Sequence, residues 1–178
     1  HYEKALAIRA ALVAHDARNT EWRRRMAVSH ERLGDVALAT GDLRAARDQY
    51  QRSVQVMSDL AEQDPDNSEW RRDMSVGHMS LAHVAKMSGD HAEARRQYER
   101  GLALMEDLVE QDPRRPQWRA DIAQLHGNLG ELFATTGDHA SAERHYARAL
   151  AIGEALVSEN PSGVKWSGQL AQNLDGAG

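Results

Sequence analysis

The sequence predicts an all-α fold, a right-handed solenoid of antiparallel helix hairpins. Three observations predict it. The first is a fixed period: the tryptophans fall at Trp22, Trp70, Trp118 and Trp166 and the tyrosines at Tyr2, Tyr50, Tyr98 and Tyr146, 48 residues apart each time. A period of this length marks an array of stacked structural units. The second is that apolar residues inside each period follow helical spacing twice. The third is a recurring breaker: Gly41-Asp42, Gly89-Asp90 and Gly137-Asp138 between the two helices, and Pro65, Pro113 and Pro161 after the second, with Ala17 in the first copy. Laid on 69–116 without a gap, 21–68 is identical at half of its positions.

The elements come in order along the chain. Residues 1–20 read as the second helix of a first unit. Units two, three and four occupy 21–68, 69–116 and 117–164, and 165–178 read as the first helix of a truncated fifth, all within one array. In unit two the first helix runs from Trp22 to Ala39, with Trp22, Met26, Leu33, Val36 and Ala37 on its core face. The equivalents are Trp70, Met74, Leu81, Val84 and Ala85, then Trp118, Ile122, Leu129, Leu132 and Phe133. Ser68 is the expected N-cap before Trp70. Gly41 accepts the positive φ wanted past a helix end, and Asp42 caps the next helix. The second helix runs from Leu43 to Gln63 and buries Ala46, Tyr50, Val54, Met57, Leu60 and Ala61. It stops at Asp64-Pro65, because a residue before proline avoids the helical region. Each tryptophan is expected to pack between neighbouring units; an exposed ladder of tryptophans forming a binding platform is the other reading.

Leu33-Gly34, Gly41-Asp42, Ala46, Tyr50 and Ser53 resemble the tetratricopeptide repeat. So do Leu129-Gly130, Phe133, Gly137-Asp138, Ala142, Tyr146 and Ala149, whereas Ala82 and Gly101 depart from the pattern in the intervening unit. The usual repeat is about 34 residues. The longer unit here is similar to the extended repeats of kinesin light chains and of bacterial signalling proteins whose arrays follow an effector domain. The resemblance implies a protein-interaction scaffold in a superhelix, with partners bound on the concave face of the first helices. The alternative it implies is a regulatory or sensor array controlling a fused peptidase, TIR or nucleotide-switch domain.

On that face the expected partner-binding residues are Arg24, Val28, Glu31 and Asp35, then Arg72, Val76, Met79, His83 and Lys86, then Gln124 and Glu131. Spacings of four and three keep each set on one side of its helix. Family members that grip a C-terminal carboxylate place Lys and Asn there, so Glu31, Asp35, Met79, His83 and Glu131 argue against that clamp. A protein or peptide partner is expected, either an amphipathic helix or an extended segment. The bland alternative is a face that binds nothing specific.

The chain carries a net charge of -5, which argues against a general nucleic-acid binder. No apolar run is long enough for a membrane span. With no cysteine, thiolate chemistry is excluded, and a reducing, cytoplasmic setting fits. Arg- and Ala-rich composition suggests a bacterial source. His30, His78 and His126 share one repeat position and are expected to be packing residues rather than metal ligands, since neighbouring helices lie ~8–10 Å apart. His91 and His139 are expected to face solvent. No nucleophile, phosphate loop or metal motif is present, so neither enzymatic activity nor a cofactor is expected. Arg23, Arg24, Arg25, Arg71, Arg72 and Arg119 crowd the starts of the first helices, where the helix dipole disfavours cations. Either their stems cover tryptophan faces or they form a basic strip for an acidic partner. Neither end of the chain is visibly a polar cap, so a segment of a longer chain is expected, or self-association through the raw ends.

Overall fold

A computed structural model describes residues 2–159, and the first helix of the fifth unit, with Trp166, lies outside the described residues. Among the described residues seven helices follow one another: α1 Tyr2–His15, α2 Thr20–Ala39, α3 Leu43–Gln63, α4 Ser68–Met87, α5 His91–Gln111, α6 Pro116–Thr135 and α7 His139–Glu159. No strand occurs among the described residues. The chain divides into two compact units, His1–Gln97 and Tyr98–Gly178, and the division falls inside α5. Within the first unit α1 packs on α2, α2 on α3 and α3 on α4; within the second, α6 packs on α7. Consecutive antiparallel helices packing in this way make the helical-repeat solenoid that the period predicts.

The turns are set by the breakers. Gly41, Gly89 and Gly137 take φ of 79°, 77° and 83°, in the left-handed region that costs glycine nothing. The aspartate after each glycine caps the next helix. Asp42 Oδ1 accepts from the Ala45 N–H at 2.9 Å, Asp90 from Glu93 at 3.0 Å and Asp138 from Ser141 at 3.1 Å. At the other turn the cap sits one residue earlier than expected. Asn67, not Ser68, accepts from the Trp70 N–H, at 3.3 Å, and Ser68 is the first helical residue. Asn19 does the same for Trp22 at 3.0 Å. In the third copy Arg115 stands at the cap without a side-chain bond, and Pro116 opens the helix instead.

Trp70 packs between repeats. Trp70 joins Ala27 of α2 and Met57 and Leu60 of α3 in one buried cluster. Ala46, Tyr50, Leu81 and Val84 form a second. Removing a buried aromatic of this size costs about 3–5 kcal/mol. The core face of α2 is the exception. Trp22, Met26 and Leu33 are only half-buried, and Val36 is 45% exposed where Val84 is sealed. Val84 packs with Ala46 and Tyr50 of α3. α1 buries no residue and leaves Ile8 64% exposed.

Candidate partner-binding surface

α2 and α4 lie in the same unit and hold most of the expected binding residues. Arg24 on α2 is an intramolecular strut. Its Nε donates to Asp73 Oδ2 at 2.9 Å, and its Nη1 lies 2.9 Å from Glu69 Oε2, both on α4. Glu31, two turns along α2, is half-buried and accepts from the Ser53 hydroxyl of α3 at 3.2 Å. Burial first, then the Asp73 carboxylate, pushes Glu31 up to about 7, and the Ser53 hydroxyl opposes this. Asp35 follows, exposed at the rim. Its Oδ1 accepts from the Tyr50 hydroxyl at 2.9 Å and its Oδ2 from Arg32 at 3.2 Å. Burial and that carboxylate raise the Tyr50 phenol far above its usual range. Glu31 therefore has two further carboxylates within electrostatic reach, Asp73 and Asp35.

Val28 on α2 and Arg72, Val76, Met79 and Lys86 on α4 are half-buried, and His83 is exposed. The half-buried aliphatic side chains are what an amphipathic segment needs as anchors. Gln124, half-buried, and Glu131, exposed, belong to α6 in the second unit. Burial, then the Glu131 carboxylate, pushes Tyr98 up to about 12 and also raises Tyr146.

Several of the crowded arginines are ion-paired. Arg23 lies 3.7 Å from Asp59, Arg25 pairs with Glu21, and Arg119 Nη1 donates to both oxygens of Glu159, at 2.8 and 2.6 Å. Carboxylates of the same or an adjacent helix hold these three. Arg115 lies over the Trp118 ring, 4.8 Å from its centroid. His91 is also corrected. It is half-buried, and its buried Nδ1 has no hydrogen-bond partner, whereas His139 is exposed. His30, His78 and His126 each bridge to the following helix of their hairpin, through Gln49 at 2.8 Å, Gln97 at 2.7 Å and His145 at 3.0 Å. Among the described residues no three or more His, Cys, Asp or Glu side chains are grouped to hold a metal.

Asp73 is the one member of the face that sequence reasoning missed. It stands where the preceding repeat has Arg25, and that reversal of charge at one register position was the available signal. No described helix is long and apolar enough to cross a membrane.

Similarity to known proteins agrees with this architecture. No curated protein sequence matches the chain. Among solved structures, BtubC (BKLC) from P. vanneervenii superposes with a TM-score of 0.52 at 18% identity, covering 99% of this chain and 78% of that one. TTC0263, a thermophilic TPR protein of Thermus thermophilus, gives 0.48 at 14% identity, over 97% and 90%. Models of the tetratricopeptide repeat match residues 27–52, 75–100 and 127–162, one stretch in each of the three complete hairpins. On these matches, the chain carries tetratricopeptide repeats in its three complete hairpins.

Proposed function

We propose that the protein is a non-catalytic scaffold that binds a peptide or protein segment on the face formed by α2 and α4. The observation that carries this reading is the arrangement of that face. Arg24 ties the two helices together through Asp73 and Glu69, so the surface is preformed. Along it, Val28, Val76 and Met79 stay partly open beside Glu31 and Asp35. A rigid surface with a few apolar anchors and a polar rim binds with little ordering cost. Tetratricopeptide repeats in general serve protein–protein interaction, and their partners are proteins or peptides.

The test starts from peptides selected on the intact chain from a random display library. Val76→Glu and Met79→Glu should each weaken the selected peptides at least about tenfold by calorimetry, as loss of an interfacial anchor does. Gln55→Glu, exposed on α3, should leave affinity unchanged. If the α4 variants keep their melting temperature and still bind as tightly as the unaltered chain, this face is not the site.

A further inference from the structure

One position of the hairpin distinguishes the last described repeat from the two before it. In α2–α3 and α4–α5 the histidine of the first helix faces a glutamine: His30 Nδ1 lies 2.8 Å from Gln49 Oε1, and His78 Nδ1 lies 2.7 Å from Gln97 Oε1. An amide oxygen only accepts, so the histidine must donate from Nδ1. Adding a second proton at Nε2 leaves that bond intact. In α6–α7 the partner is itself a histidine. His126 Nδ1 and His145 Nδ1 are 3.0 Å apart, with ring centroids at 5.1 Å. Here one imidazole donates and the other must accept through a bare Nδ1. One added proton still leaves a cation donating to a neutral ring; protonating both rings turns the two facing partners into two facing N–H groups on adjacent cations.

We propose that the His126–His145 pair is an acid-sensitive joint that holds α6 to α7 when neutral and pushes them apart when protonated. Groups from each packed element set its response. From α7, Arg148 disfavours a charge on His126 and Arg144 disfavours one on His145; from α5, Glu99 acts in the opposite sense on His145. From α6, Phe133 stacks on the His145 ring at 5.3 Å and supplies apolar cover without charge. Burial first, then the neighbouring ring, takes His126 down to about 4, and burial also lowers His145. Both histidines bind protons more readily unfolded than folded, so the hairpin loses stability as pH falls from about 6.5 towards 4. The proposal stands apart from the binding face, since neither histidine belongs to it.

His145→Gln recreates the pair of the other two repeats and is the deciding variant. In the full chain it should melt within a few degrees of the unaltered protein at about pH 7.5. Between about pH 7.5 and 5 the unaltered protein should lose roughly 5 °C more than the variant, a shift of the size that one to two kcal/mol produces in a chain of this length. His126→Gln, which lets His145 donate to an amide oxygen, should behave alike and serves if the first variant folds poorly. In the unaltered chain, side-chain NMR should show His126 and His145 titrating below their ordinary range. Parallel melting losses in all three proteins, or two histidines titrating independently near 6.5, would overturn the proposal.

Discussion

Gly34 sits in the interior of α2, where glycine costs about 1 kcal/mol against alanine. The ring of Tyr50 explains the choice. A Cβ on Gly34 would lie 2.6 Å from Tyr50 Cε1, and the ring is fully buried and pinned by its hydroxyl to Asp35. Gly130 on α6 meets Tyr146 at 2.7 Å, but that tyrosine is only half-buried. The two glycines therefore predict different outcomes. Gly34→Ala should destabilise by about 1–2 kcal/mol, because overpacking outweighs the helix-propensity gain. Gly130→Ala should cost less than half as much, because its ring has room to shift. Urea unfolding of the two variants checks this, and equal losses would mean that the Asp35 bond does not fix the Tyr50 ring.

The helices show which parts of the fold could be read in advance. The bounds Leu43–Gln63 are visible because the signals lie on the same stretch of sequence: Asp42 before, Asp64-Pro65 after, and an apolar residue every third or fourth place between. The cap of α4 is less legible, since Asn67 and Ser68 are adjacent and both are good capping residues. Here Asn67→Ala should cost about 1 kcal/mol and Ser68→Ala close to nothing, by thermal or urea unfolding; the reverse order would return the cap to Ser68. The candidate face was harder to read, because it depends on contacts between helices. Arg24 could be placed on a face from its spacing, but its tie to Asp73 could not, because Asp73 replaces an arginine in the preceding copy. The exposure of Val36 was hidden likewise, because its counterpart one repeat later, Val84, is fully buried. Repetition makes the shared positions legible and hides the positions where the copies differ, and the differing positions carry the ion pairs and the histidine pair.

Across the whole molecule, stability in a repeat array is close to a sum of terms from each repeat and its neighbours. Two titrating sites in different repeats should then add, and these two have opposite signs. Glu31 has its folded pKa raised from 4.5 to about 7, so folding takes up a proton there and its contribution weakens as pH rises through that window. His126 has its folded pKa lowered from 6.5 to about 4, so its contribution weakens as pH falls through a largely overlapping window. The two slopes oppose each other between about pH 4.5 and 6.5. Exposed carboxylates such as Asp112, Asp138 and Glu159, whose pKa values are lowered by their own partners, add a common loss on acidification that cancels between variants. Relative to the unaltered chain, Glu31→Gln should therefore steepen the loss on acidification, and His145→Gln should reduce it. Each difference should amount to about 1–2 kcal/mol across the window once solvent screening of half-buried groups is allowed for. Urea unfolding at a series of pH values gives both slopes. If both variants tilt the same way, or neither departs from the unaltered profile, the Glu31 and His126 environments do not govern the pH response. Opposite tilts that cancel in the double variant would show two repeats acting as independent, opposed titrating elements.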